Sequence, residues 1–534
     1  MMKKKLTAIL LSIVMVLSVG IGLGGCGTDK TGMVIGTGEF VDTLNPFTAW
    51  AMMSSEVFNL IYDPLVRYDE NLQSVPCLAK SWDVSDDQLT WTFHLAKANW
   101  QDGEPFTSAD VKYTYELFMT EAGAASFYGS YLTGIDKITC PDDQTVVIKT
   151  KEPKANMLQN TTPILPKHLW EKVGEKGIQT YTNESPVGTG PYKFAEMGDG
   201  TLTLVRNDDY FSTPGKIPSY SFVEYKNSDS AAQALKTGEI DAALSLNAAQ
   251  LTQLKSEDGI DVISGQIPGF MQVSINVSKK AKSTGDPILK DVKVRQALEY
   301  CIDKQKGLDM AFSGAGTLGT TLINPSDPYH WEPDASVLRS FNIDKAKQIL
   351  DAAGYKDRNG DGVRETTSGK PLDFDLISIA DNTEDVKYGQ IIKAGCKEAG
   401  ITINCVTMDS GALTDKLLAH DYDLFIWGWG ADVDPGAILA ILTTDYGNEP
   451  DWSNAEYDKL FLKQAVTMDQ AQRTAIVKKM QKIVYEEAPY IILLYDNSIQ
   501  AIRSDKWTGY QQIPKNGCYF LNMSIVNYMN MHSK

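Results

Sequence analysis

The sequence predicts an α/β protein of two or three domains, and three observations carry that expectation. Apolar runs of strand length alternate with amphipathic runs of helix length, most clearly over 372–408. The chain has 534 residues, too many for one hydrophobic core even without its first 25. Hydrophobic residues make up 43% and aromatics 10%, which argues for packed cores rather than disorder.

The elements follow in chain order. Lys3, Lys4 and Lys5 form a basic head, an apolar stretch runs from Leu6 to Leu23, and Gly24-Gly25-Cys26 comes next. Such a pattern reads as a secretion signal over 1–25. A cysteine directly after small residues resembles a bacterial lipobox, in which the thiol takes a diacylglyceryl group and becomes the new N-terminus. Cys26 is the expected lipid anchor and 26–32 a polar tether; an uncleaved membrane helix is the competing reading. The remaining chain has no second apolar run of spanning length. The expected location is the extracytoplasmic face of the cell membrane.

Further along, the alternation Leu89-Thr90-Trp91-Thr92-Phe93-His94-Leu95 predicts a half-buried strand. Asp102-Gly103 supplies a turn, and Thr107 or Ser108 caps a helix with Asp110 in its first turn. Strands are expected at 145–150 and 201–207, and a helix, glycine turn and strand at 230–244. Amphipathic helices begin near Asp291 and near Asn342, the second ending at Gly354. The strand at 372–380, the helix at 386–400 and the strand at 401–408 make a crossover unit. Strands at 422–427 and 490–496 complete the set. There is no internal repeat and no low-complexity tract.

Charge and motifs exclude several functions. The formal net charge is −18, and three of the cations lie in the basic head, so the body is more acidic still. Nucleic acid is therefore not an expected partner. Six cysteines besides Cys26 are scattered without a CxxC pair, which argues against zinc; Cys396 with Cys405 is the nearest pair for a disulfide, and free thiols are the alternative. The five histidines, His94, His168, His330, His420 and His532, form no metal spacing. No nucleophile elbow and no distinct acid pair appears, so an extracellular hydrolase is a rival without visible machinery. "GTGPYKF" from Gly188 reads as a tight turn into a strand, because Pro191 removes an N–H that a phosphate cradle needs. "GAGTLG" at 314–319 does not open a helix after a strand and reads as a loop. Asp357, Asn359, Asp361 and Gly362 match the first half of a calcium loop, but the twelfth position is Ser368 instead of Glu. A polar turn is the favoured reading there, with a calcium site as the alternative.

Several stretches, in this order, resemble the family 5 extracellular solute-binding proteins, the peptide and nickel group of ABC importers. They are "LNPFTAWAMMSSEVFNLIYDPLVRYD", "LAKSWDVSDDQLTWTFHLAKANWQDGEPFTSADVKYTYE", "VGTGPYKF", "VKVRQALEYCIDK", "AGYKDRNGDGVRE" and "WGWGADVDPG". The resemblance spans nearly all of the chain after the signal. It implies a two-lobed, type II periplasmic-binding-protein-like α/β fold with a hinged cleft and an extra domain inserted in the first lobe. On that basis lobe I takes 33–64, 186–277 and 496–534, the inserted domain 65–185, and lobe II 278–495. It further implies a monomer that does no chemistry, carries no cofactor, and works with separate permease and ATPase chains.

The stretch "FIWGWGADVDPG" at 425–436 is where the ligand is expected. Gly428 and Gly430 allow the backbone to bend, Trp429 offers a flat wall, and Asp432 follows the strand's end. In peptide-binding members of the family an aspartate in this setting holds the ligand's α-ammonium, and Asp432 matches it; a turn role is the alternative. Asp434-Pro435 reads as turn chemistry, and Trp427 as a core position. The resemblance also places Trp50, Ala51, Met52, Tyr128, Asn276 and Tyr495 on the cleft wall. No arginine follows the strand at 372–380 to hold a ligand carboxylate, so an oligosaccharide stacked on the tryptophans stands as the alternative to a short peptide.

Overall fold

The computed structural model describes residues 32–534. The expected signal, the lipid anchor Cys26 and all but the last residue of the tether lie outside the described residues. Among the described residues no helix is long and apolar enough to cross a membrane.

Two mixed sheets organise the molecule. The first has seven strands in the order Ile260–Gln266, Asn497–Arg503, Ala242–Leu246, Met33–Thr37, Ser219–Glu224, Thr201–Arg206, Tyr192–Gly198. Its central strand Met33–Thr37 runs parallel to both neighbours. The second has six, in the order Thr317–Leu318, Tyr490–Tyr495, Gly269–Ile275, Leu424–Gly430, Asp373–Ile379, Thr402–Met408. Here the expected crossover unit is present: Asp373–Ile379 pairs parallel with Thr402–Met408 through helix Thr383–Glu398. The helix begins earlier than its apolar pattern, because Asn382 caps it by accepting from Asp385 N at 3.0 Å. A four-stranded antiparallel sheet holds Ala79–Val84, Thr90–Leu95, Thr145–Thr150 and Ile135–Asp142. In Thr90–Leu95 the alternating Trp91, Phe93 and Leu95 point inward, as their spacing predicts.

The four-stranded sheet has no core of its own. Trp91, Phe93, Val111 and Trp170 join Met33, Ile35 and Phe222 in one continuous apolar cluster. The six-stranded sheet packs on a second large cluster with Leu376, Tyr388, Ile392, Ile426 and Val477. These are the two lobes. One expected boundary moves: strand Gly269–Ile275 lies at the centre of the six-stranded sheet, so lobe II begins there and not at 278. Its seven buried residues and ladders on both sides fix it in that lobe.

The chain crosses between the lobes at Gln266–Gly269 and again at Tyr495–Asn497. The two crossings are bonded to each other, Ile267 N donating to Asp496 O at 3.3 Å. A further contact spans the lobes, where Ala155 N donates to Ala465 O at 3.0 Å. Cys77, Cys140, Cys301, Cys396, Cys405 and Cys518 are all free thiols, so Cys396 and Cys405 are not bridged.

Candidate functional site

Strand Leu424–Gly430 reaches the junction of the lobes. Leu424, Phe425 and Ile426 are buried, as a central strand demands, and the ladder to Gly269–Ile275 holds register from Ile275↔Leu424 to Gly269↔Gly430. The strand therefore runs through both glycines. A Cβ at Gly430 would meet nothing, so this residue is exposed backbone and not a forced bend. The close approach belongs to Gly269, whose φ is +136° and whose Cβ would lie 2.5 Å from Trp429 O.

Beyond Gly430 the chain turns through Ala431-Asp432-Val433-Asp434-Pro435 into the short helix Gly436–Ala440. Two aspartates two positions apart meet different fates. Asp434 is buried at 4% exposure; its Oδ1 accepts from Gly436 N at 2.8 Å and its Oδ2 lies 2.7 Å from Arg473 Nη1. Arg473 comes from helix Gln470–Glu487 and also donates to Gln464 Oε1 at 3.0 and 2.8 Å and to Tyr329 Oη at 3.2 Å. Asp434 thus makes the expected turn bond and an ion pair that local sequence did not announce.

Asp432 has no such partner among the described residues. Its Oδ1 accepts only from the adjacent Val433 N, at 2.7 Å. The residue keeps some solvent contact while its carboxyl end is walled in. Burial pushes that carboxyl up to about 7, the Val433 N–H opposes the shift, and the nearby Asp434 charge adds to it. Asp432 lines a narrow recess with Pro268, Leu322, Ile323, Pro435 and Asp327. Asp327 is raised to about 6, again by burial first, with Tyr329 N opposing and Asp434 adding.

Two tyrosines of the chain before the second lobe lie within range of the Asp432 charge. Tyr128 is 5% exposed, and its hydroxyl is raised to about 12 by burial, with Asp432's charge contributing. Tyr68, whose hydroxyl donates to Gln159 O at 3.1 Å, is raised well above the usual tyrosine range by burial and by the charges of Asp432 and Asp434. The structure brings Tyr128 and Asp432 together and adds Tyr68, Asp327 and Arg473.

Other expected wall residues fall elsewhere. Asn276 sits past the far end of its strand from Gly269 and is 1% exposed; its Nδ2 donates to Tyr422 O at 2.7 Å and His420 O at 3.1 Å, and its Oδ1 accepts from Ser278 N at 3.0 Å. With its amide engaged it is a structural clamp, not a ligand contact. Tyr495 is fully buried; its hydroxyl accepts from Thr321 N and donates to Thr321 O, both at 2.9 Å, and so fixes its own lobe. Trp429 is half-buried against the second-lobe core, and its indole N–H has no hydrogen-bond partner among the described residues. Trp427 packs on Phe425 with ring centroids 6.4 Å apart. Trp50 and Met52 stand out at 68% and 52% exposure, outside the Asp432 recess. Around Ala51, the N–H groups of Trp50 and Ala51 donate to Asp42 Oδ2 at 2.8 and 3.3 Å, which fixes the start of helix Met52–Ile61.

The motifs resolve as well. A Cβ at Gly188 would lie 1.8 Å from Ile61 O, so this turn needs its glycine for backbone approach. Within 314–319, Thr317–Leu318 forms an edge strand against Tyr490–Tyr495 instead of a free loop. Asp357, Asp361 and Glu365 offer carboxylate oxygens within 4.8 Å of one another. Glu365, at the ninth position, is the acidic residue that the twelfth-position rule missed. These groups are already engaged: Asp357 accepts from Gly360 N at 2.7 Å and Gly362 N at 3.0 Å, Asp361 from Val363 N at 2.8 Å and Asn359 Nδ2 at 2.9 Å, and Glu365 from Arg358 N at 2.9 Å.

Comparison with known proteins agrees with this architecture. The profile of the bacterial extracellular solute-binding proteins, family 5 (middle), matches residues 73–449. A putative ABC transporter peptide-binding protein of Brucella ovis is 32% identical over 421 residues, covering 77% of this chain and 76% of its own. The oligopeptide-binding protein AppA of Bacillus subtilis is 25% identical over 550 residues, 97% of this chain and 98% of its own. Among solved structures, the periplasmic oligopeptide-binding protein of an oligopeptide ABC transporter from Thermotoga maritima superposes with a TM-score of 0.82 at 23% identity, covering 94% of this chain and 99% of that one. At that identity the likeness shows the fold.

Proposed function

The chain belongs to the bacterial extracellular solute-binding proteins, family 5, and on that premise we propose that it captures short peptides and delivers them to an ABC permease. It is a binding protein and not an enzyme, as its family is. The carrying observation is the carboxylate of Asp432, recessed beside the Pro268 crossing and unpaired among the described residues, while the adjacent ion pair consumes Arg473. A walled-in carboxylate pays for its lost water only when a cation meets it, and a peptide's α-ammonium is a cation of the right size. Peptide-binding names among the relatives support the same reading. Anchoring through lipid on Cys26 belongs to the proposal: labelled fatty acid should enter the wild type in its native host and not Cys26→Ser.

An oligosaccharide is the other ligand class, since one solved relative of this fold, 23% identical, holds mannohexaose. An uncompensated carboxylate gives a neutral sugar no charge to meet. Mass spectrometry of ligand co-purified with the protein tests the reading directly, and melting with tripeptides against oligosaccharides extends it. Stabilisation by sugars alone would replace the peptide reading.

A further inference from the structure

One contact between the lobes lies away from the paired crossings and is made by protein groups alone. Helix Ala455–Val466 stops at Thr467, whose backbone is extended, and Asp469 caps the next helix, Gln470–Glu487, by accepting from Gln472 N at 2.8 Å. The last carbonyls of a helix need donors from elsewhere. Ala465 O finds one on the other lobe, accepting from Ala155 N at 3.0 Å. Met468, half-buried and held between the two helix ends, packs on the first-lobe apolar cluster, to which Met157, two residues past Ala155, also belongs. Among the described residues, Met468 is the one side chain of the second lobe packed on that cluster. Neither Ala155 nor Ala465 lies in a strand that feeds a crossing. By contrast, Gln266 Nε2 donates to Thr317 Oγ1 at 3.0 Å and Asn324 Nδ2 to Ile267 O at 3.4 Å at the crossings themselves.

The same turn is tied to the Asp432 recess. Gln464, next to Ala465 and 1% exposed, accepts through Oε1 from Arg473 Nε at 3.0 Å and Nη2 at 2.8 Å. Arg473 in turn pairs with Asp434, two residues from Asp432. The turn at 465–468 and the unpaired carboxylate therefore belong to one bonded body. We propose that Ala465 and Met468 form an off-hinge latch that favours the closed arrangement with or without ligand, so that Met468 sets the affinity for every ligand by one common factor while touching none. Apparent affinity scales with the fraction of protein already in the competent state, and a contact made by the protein alone raises that fraction. The latch consists of one amide bond and one half-buried thioether side chain, so it biases the closure without locking it. Its binding readout rests on the peptide-capture reading; its readout in the empty protein does not.

The experiment compares full-length wild type with Met468→Glu, by small-angle scattering without ligand and by calorimetry with trialanine and trileucine. The empty variant should have a larger radius of gyration than empty wild type. Both peptides should bind the variant about five-fold or more weakly, the scale of one half-buried apolar side chain, and the two factors should agree. Met468→Leu keeps the apolar contact and should match wild type in both measurements. Unequal factors for the two peptides would set Met468 against the ligand itself and overturn the latch. Equal radii of the two empty proteins overturn it as well, whatever happens to affinity. If neither peptide binds wild type, the peptide reading falls, and scattering still decides the latch. Should Met468→Glu fail to fold, Met468→Ala gives the same comparisons with a smaller loss.

Discussion

Arg473 neutralises Asp434, at 2.7 Å, and leaves Asp432 two residues away without a counter-ion among the described residues. The cation beside this turn is bonded wholly to one of its two carboxylates. The buried pair is architecture; the proposed ligand role falls to the other group.

Removing the unpaired group should remove an ammonium contact. Asp432→Ala should weaken a free-amino tripeptide roughly ten-fold or more, given about 1.5–3 kcal/mol for a charged hydrogen bond. N-acetylation should do the same to wild type, and the two changes together should cost far less than their sum. Calorimetry on the four combinations reads this. Equal binding of free and acetylated peptide to wild type sends Asp432 back to a turn role.

Binding should release a proton. The free Asp432 carboxyl sits at about 7, and an arriving ammonium favours its ionised form. Affinity should therefore fall as pH drops below about 7, and the binding heat near neutrality should depend on the buffer's ionisation enthalpy. Asp432→Asn should abolish both effects. A pH-independent affinity between 5 and 8 would show that no such group titrates on binding.

Breaking the closed pair should unfold more than it unbinds. Arg473→Met leaves Asp434 buried and alone, a change that costs about 3–5 kcal/mol of stability. Adding Asp434→Asn should recover much of that loss. The check is melting of the single and double variants; a single variant as stable as wild type contradicts the buried-pair assignment.

Glu56 offers a separate pH test inside lobe I. It is 6% exposed on helix Met52–Ile61, and burial raises its carboxyl to about 7, with the Tyr528 hydroxyl opposing. Between the ordinary value of 4.5 and about 7, the folded chain keeps a proton that the unfolded chain has lost. Stability then falls as pH rises through that window, by up to about 1.4 kcal/mol per pH unit. Glu56→Gln should melt higher than wild type at pH 8, and the difference should shrink towards pH 4. A difference that does not change with pH excludes the titration.

Calcium should do little. The oxygens of Asp357, Asp361 and Glu365 already accept N–H groups of their own loop. Melting in calcium and in chelator should agree, and a large rise with calcium would make the loop a true site.

Local pattern revealed several strands, the caps and the crossover unit, because each is set by neighbours within a few residues, but not the central strands Met33–Thr37 and Gly269–Ile275. The position of Asp432 just past the strand was legible for the same reason, while its proposed role came from the family resemblance. Arg473 was not legible, since the turn at 432–436 carries no trace of a helix that begins at Gln470. Asn276 and Tyr495 misled for a related reason. The family resemblance put them on the cleft wall, but their polar groups are used up by Tyr422, His420 and Thr321, which only folding brings near. The glycine that matters in the pairing is Gly269 on the partner strand, and the Gly-Trp-Gly of 428–430 drew the eye to the wrong side of the ladder.

The paired crossings at Gln266–Gly269 and Tyr495–Asn497 have a mechanical meaning. Each continues a strand of one sheet directly into a strand of the other, and a backbone bond ties them side by side. Two stiff straps lying together permit rotation about one axis and resist sliding or twisting. On the proposed capture reading, occupancy of the interior would be translated into a single number, the angle between two rigid outer faces. A partner that touches both faces would then need to measure only that angle and never have to inspect the cargo.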